Sequence, residues 1–155
     1  MNRLKIFNKN EKIEFEKELE KQFGIKSVPG LILRRGEERL FLFSGSFNIR
    51  QLKKLEEWVP VERVGVYFAK QAEGGIRLSI EGTQILKDQI KKNIFELNNE
   101  QTEEWMMGRE LPIKTGKREF LIMKHKNEFM GTGKASAEKI GNYIPKSRRL
   151  KNRER

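Results

Sequence analysis

Apolar positions recur every four residues in NKNEKIEFEKELEKQF (8–23), where Phe15, Leu19 and Phe23 line one stripe and Glu and Lys fill the rest. That spacing predicts an amphipathic helix with a heavily charged, solvated face. Asn8 or Asn10 can cap its start, and Gly24 can end it in a left-handed conformation. The period then changes. LIL and LFLF flank RRGEER, a hairpin signal with a glycine-containing turn. SFNIRQLKKLEEW places Ile49, Leu52, Leu55 and Trp58 at three-residue spacing, which predicts a short helix stopped by Pro60. VERVGVYFAK, β-branched and aromatic, and IRLSI read as strands joined by the turn AEGG.

The second half reads as shorter pieces. Gly82 precedes a segment with Ile85, Leu86 and Ile90 that fits one or two helical turns. IFEL reads as a strand. NNEQTEEWMMG reads as a short helix with an Asn98/Gln101 capping box, closed by Gly108. FLIM, apolar without a break, predicts a strand buried on both faces; the polar turn KHKN then makes a hairpin with EFMGTGKA. GNYIPK supplies one last short strand before a basic tail. Short strands with brief helices suggest a small, partly closed barrel. The fold class expected is α+β, with an α+β unit over residues 1–79 and a pseudo-β-barrel unit over 80–155.

Composition narrows the chemistry. The 155 residues contain no cysteine and one histidine, His125. Thiolate nucleophiles and cysteine-held metals are excluded, and a His-rich metal site or a Ser-His-Asp triad is disfavoured. No cofactor, no metal and no catalytic residue are expected. No apolar run approaches the roughly 18 residues of a membrane helix, and MNRLKIFNKNEK lacks a signal-peptide core. The expectation is a soluble cytoplasmic protein without a membrane partner.

Charge changes the picture most. The chain carries a net +11. Residues 1–80 hold 16 basic and 11 acidic side chains, whereas residues 114–155 hold 13 and 4, a net of +9. Such clustering is the footprint of a polyanion partner. Within it stands GTGKA, which invites comparison with a nucleotide loop. A phosphate loop needs G-x-x-x-x-G-K-[ST], but Glu128 stands five residues before Gly133, and Ala135 follows Lys134. The first turn glycine and the magnesium ligand are both missing, so an NTPase is excluded. G-x-G-x-x-G is not completed after Gly131 and Gly133 either. What is left is a pair of glycines that permit close backbone approach, beside a lysine suited to a phosphate.

IRLSIEGTQILKDQIKKNIFELNNEQTEEWMMGREL followed by GKREFLIMKHKNEFMGTGKA resembles a PUA domain, a small pseudo-barrel RNA-binding module. FMGTGKASAEKIGNYIPKSRR is similar to the C-terminal PUA-like region of Sun/Fmu-type RNA cytosine-5 methyltransferases: Gly131, Gly133, Lys134, Lys139, Asn142, Pro145, Lys146 and Arg149 match their G-x-G-K, Lys, Asn and Pro-Lys-x-x-Arg pattern. VPGLILRRGEERLFLFSG is similar to the pre-PUA segment of Nip-type assembly factors. Those methyltransferases use a cysteine nucleophile and a Rossmann-like sheet for S-adenosylmethionine, and this sequence has neither a cysteine nor such a fingerprint. The resemblance therefore implies the RNA-binding module without the reaction.

The candidate RNA-binding residues are Lys134, Lys139, Lys146, Arg148 and Arg149 for phosphates, with Gly131 and Gly133 for close approach. Lys87, Lys91 and Lys92, on the segment resembling the first PUA helix, are a second contact. Asn142 reads either as a base-edge contact or, preferentially, as a turn residue. Tyr143 reads either as a stacking platform or, preferentially, as core. Trp58 and Trp105 read as packing residues, and His125 as a surface residue. The function expected is non-catalytic recognition of structured rRNA or tRNA in RNA modification or ribosome assembly. One rival is a protein-interaction subunit docking an RNA methyltransferase or assembly factor through residues 1–79. The other is an enzyme with an unrecognised site.

Overall fold

The computed structural model describes residues 4–44, 50, 54 and 65–151. Of the helix expected over SFNIRQLKKLEEW only Arg50 and Lys54 are described, both helical; its other residues, with Trp58 and Pro60, and the tail after Lys151 lie outside the described residues. The first sheet is an antiparallel meander of five strands: β1 (Leu4–Ile6), β2 (Leu31–Arg35), β3 (Arg39–Phe43), β4 (Val66–Ala72) and β5 (Gly75–Leu78). Helix α1 (Lys9–Phe23) lies between β1 and β2 in sequence and covers one face of this sheet. Its start is a full capping box: Asn8 accepts from the Glu11 N–H and Glu11 accepts from the Asn8 N–H. The Lys5 ammonium and that Asn8 N–H hold the Glu11 carboxyl below the usual carboxylate range. Gly24, at φ 81°, ends the helix. Phe15, Leu19 and Phe23 are buried with Ile32, Leu40, Leu42, Phe68 and Ile76. Edge-to-face ring contacts Phe7–Phe15 and Phe15–Phe68, each at 6.0 Å, fix the helix on the sheet.

Helix α2 (Ile80–Ile85) follows at once and runs into a 3₁₀ turn (Lys87–Gln89). The sequence places its start after Gly82. The structure places it at Ser79, whose hydroxyl caps the Gly82 N–H. Gly82 is instead a packing glycine, since a Cβ there would collide with the Phe68 carbonyl. Leu86 and Ile90 are buried as the spacing implies, but Ile85 is exposed.

The second sheet is a curled half-barrel ordered β6 (Ile94–Glu96), β7 (Phe120–His125), β8 (Glu128–Ala135), β9 (Ile140–Gly141), with β6 parallel to β7 and the other pairs antiparallel. Helix α3 (Asn99–Met106) carries the expected Asn98/Gln101 box, and Gly108 follows it at φ 86°. β7 is buried on both faces, as FLIM predicts, because it is the wall between two cores. Phe120 and Ile122 join Phe129 in the core under α1, whereas Leu121 and Met123 face Trp105, Leu97 and Ile140 in the second. The polar turn is shorter than expected: Lys124 and His125 belong to β7, and Lys126, at φ 56°, makes the reversal. The last strand is also displaced, covering Ile140–Gly141 and so only the first residue of GNYIPK, and the Asn142 side chain bonds away from the sheet just after it. The architecture is thus α+β with a PUA-like pseudo-barrel. Among the described residues no helix is long and apolar enough to cross a membrane.

Candidate nucleic-acid interface

The basic residues singled out by the sequence fall at three places. The first is the junction of the two sheets. It is fastened by buried hydroxyls: Thr132 on β8 accepts from the Leu78 N–H at 3.1 Å, and Thr83 donates to the Ile80 carbonyl at 2.7 Å while accepting from the Gly131 N–H at 3.3 Å. Gly131 and Gly133 are both buried here. A Cβ on Gly133 would strike Ile140 and Trp105, and one on Gly131, at φ 82°, would press on Ile80. The close approach they permit is between parts of this chain. Lys134 leaves β8 next to them, its Nζ 4.7 Å from the Phe120 ring centroid and against Gly74 in the β4–β5 turn.

The second place is the segment after β9. Asn142 donates to the Trp105 and Arg109 carbonyls at 2.8 and 2.9 Å and accepts from the Ile144 N–H at 2.8 Å. Its two amide bonds fix this segment to Trp105 and Arg109 at and beyond the end of α3, and only the bond from Ile144 is local. Tyr143 is not core: it is 42% exposed. Strand alternation stops at Gly141, so the register that would bury Tyr143 does not extend to it. Its ring lies 3.9 Å from the Arg77 guanidinium and 6.4 Å from Phe120. Lys146 and Arg148 are exposed on a 3₁₀ turn (Lys146–Arg148), with Arg148 paired to Glu81. Arg149 is half-buried over Gly108 and donates from Nε to the Ile144 carbonyl at 2.9 Å. Lys139, also exposed, is paired to Glu110 at 2.8 Å.

The third place is the end of α1. The Lys91 and Lys92 N–H groups both donate to the Phe23 carbonyl, and Lys91 packs on Gly24. Their side chains and that of Lys87 are exposed there. His125 lies against Asn99, Nε2 to Oδ1 at 2.8 Å. Trp105 is fully buried and donates to the Met130 carbonyl at 3.0 Å.

Sequence reasoning missed the contribution of the first sheet. The strand register sets Arg35 opposite Arg39, Arg39 opposite Lys70, and Lys70 opposite Arg77. Directly opposed residues share a face, so four cations form one row on the side of Leu33 and Phe41, away from α1. The spacings of these residues in the chain give no hint of it. The signal available was the hairpin alternation, which puts Arg35 and Arg39 on the same side.

Residues 92–150 match the family model described as the methyltransferase RsmF PUA domain. The chain is 27% identical over 131 residues to the ribosomal RNA small subunit methyltransferase F of Aeromonas salmonicida, covering 84% of this chain and 26% of that protein. It is 28% identical over 143 residues to the enzyme of the same name from Vibrio campbellii, covering 88% of this chain and 29% of that one. It is 32% identical over 98 residues to that of Aliivibrio fischeri, covering 63% and 20%. The chain thus spans about a quarter of the length of these relatives. With the curled second sheet and the G-x-G-K strand at its centre, these matches identify a PUA-like region of the Sun/Fmu type in this chain.

Proposed function

We propose that this chain binds structured RNA, ribosomal RNA first among the candidates, and serves its methylation by positioning and not by bond-making. The observation that carries this reading is the net charge of +9 over residues 114–155, set on a region matching the RsmF PUA domain. Lys134 and Lys146 supply the phosphate contacts, and Lys139, Arg148 and Arg149 add to the field from their tethered positions. Gly131, Gly133 and Asn142 act by shaping the backbone. Lys87, Lys91 and Lys92 form a separate contact beside the end of α1. A binding role suits the residues present: the chain has no cysteine, and its one histidine is engaged with Asn99. The division at residue 79/80 is read as the point where an RNA-facing part joins its support, since the first sheet ends at Leu78 and Ser79 caps α2.

The test is fluorescence anisotropy with a labelled hairpin of small-subunit rRNA across a salt series. Expected is binding whose logarithm falls linearly with log salt, with a slope shallower by about 1 in Lys146→Glu. Binding equal for RNA and the matching DNA, and indifferent to Lys146→Glu, overturns the reading.

A further inference from the structure

The cross-strand row on the first sheet ends at a cleft. Tyr67, Arg77, Ser79, Glu81, Tyr143 and Pro145 line it, where the two sheets meet. Like charges set directly opposite one another destabilise a sheet, yet Arg39, Lys70 and Arg77 occupy successive strands in register. Their compensation is partial and uneven. Lys70, in the middle of the row, is paired to Glu38 at 3.3 Å, and the β2–β3 turn also carries Glu37. Arg39 lies 5.6 Å from the Tyr67 ring centroid and Arg77 lies 3.9 Å from that of Tyr143. These contacts orient the guanidinium groups and leave their charge in place. At the cleft end the facing carboxylate, Glu81, is already taken by Arg148. The cleft end thus keeps the charge of Arg77, and Lys134 stands near the Phe120 edge of the same aromatic cluster.

We propose that this row and cleft form a binding track for a single-stranded RNA segment: Arg39, Lys70 and Arg77 take successive phosphates, and an unstacked base lies on the Arg77–Tyr143 pair. Neighbouring strands are about 4.8 Å apart, so Arg39 to Arg77 covers about 10 Å. Each step from one cation to the next is thus longer than the roughly 3.4 Å rise per nucleotide of a stacked strand, so successive phosphates meet the row only where the strand is unstacked. An exposed tyrosine already stacked with a guanidinium is the surface on which unpaired bases are read, whereas a duplex offers it no base face. The track rests on the RNA-binding reading above and extends it: the first sheet becomes part of the interface, and the ligand becomes a strand leaving a structured element.

The test uses the full chain and two labelled probes, a blunt RNA hairpin and the same hairpin with a six-nucleotide single-stranded extension. Expected is tighter binding of the extended probe by the wild type. Tyr143→Ala is expected to cut that advantage roughly tenfold or more, and Tyr143→Phe to keep it. Lys70→Ala and Arg39→Ala should each lower the salt slope for the extended probe by about 0.7, the single-strand value, and leave blunt-hairpin binding within about twofold. Thermal melts confirm that each variant is folded. Should the extension add nothing, or should Tyr143→Ala and Lys70→Ala bind it like wild type while Lys146→Glu still weakens the hairpin, the track is overturned and the C-terminal reading stands. Loss of all salt-dependent RNA binding in the wild type overturns both.

Discussion

Gly82 shows how one residue sets the join between the two parts. Alanine would normally strengthen a helix at this position by about 1 kcal/mol. Here its Cβ would collide with the Phe68 carbonyl, a backbone atom that cannot rotate away. Helix α2 would have to lift from β4, loosening Thr83 and with it the bond to the Gly131 N–H. Overpacking of this kind costs about 1–3 kcal/mol and outweighs the propensity gain. Gly82→Ala is therefore expected to lower the urea midpoint with an unchanged m-value, a net loss of up to about 2 kcal/mol; a midpoint that rises would show that α2 repacks without strain. Lys134 teaches a related lesson. In sequence it is the lysine of a failed phosphate loop, and in the structure it reaches across the junction to Gly74 and the Phe120 ring.

At the scale of elements, what could be read from the sequence is what is local. Helix α1 is legible from its stripe and its caps because every group involved lies within a turn of its partner. Substitution of its cap should behave accordingly. Asn8→Ala removes the acceptor for the Glu11 N–H and is expected to cost about 1 kcal/mol in chemical denaturation, while Asn10→Ala, outside the box, should cost much less; equal losses would mean that the box is not what stabilises the start. The two-sided burial of β7 is likewise legible from an unbroken FLIM. Helix α2 is misplaced because a glycine reads as a breaker unless the backbone it packs against is known. The burial of Tyr143 is misread because Asn142 binds the Trp105 and Arg109 carbonyls, 37 and 33 residues away in sequence, which no alternation rule anticipates. The row of Arg39, Lys70 and Arg77 was out of reach for the same reason: it exists only through the register of three strands, and the β3–β4 pair carries a bulge between Leu40 and Phe41 that resets it. The charge count placed the field in the last quarter of the chain, since a count along the sequence cannot see charges brought side by side.

For the whole molecule, the core runs across residue 79/80, where two units are expected from sequence. Phe120, Ile122 and Phe129 from the second sheet, with Leu86 and Ile90, are buried in one cluster with Phe15, Leu19, Phe23 and Phe68. Removing residues 1–79 would bare those five side chains. At about 1.5–3 kcal/mol for each large apolar side chain returned to water, the loss is about 10 kcal/mol, comparable to the entire stability of an ordinary domain. The Leu78 N–H bond to Thr132 and the Phe23 carbonyl contacts with Lys91 and Lys92 would go as well. A fragment of residues 80–151 is thus expected to lack a cooperative thermal transition by circular dichroism and to bind a hydrophobic dye. Co-expression with residues 1–79 should restore the transition, because the lost contacts are supplied in trans. A fragment that melts cooperatively alone would show that the second core, around Trp105 and Ile140, suffices, and that the first sheet is a separable attachment. The same contacts decide how RNA is held. If the sheets share a core, the first sheet's cations keep a fixed distance from Lys134 and Tyr143, and ligand binding pays no entropy for bringing the two surfaces together.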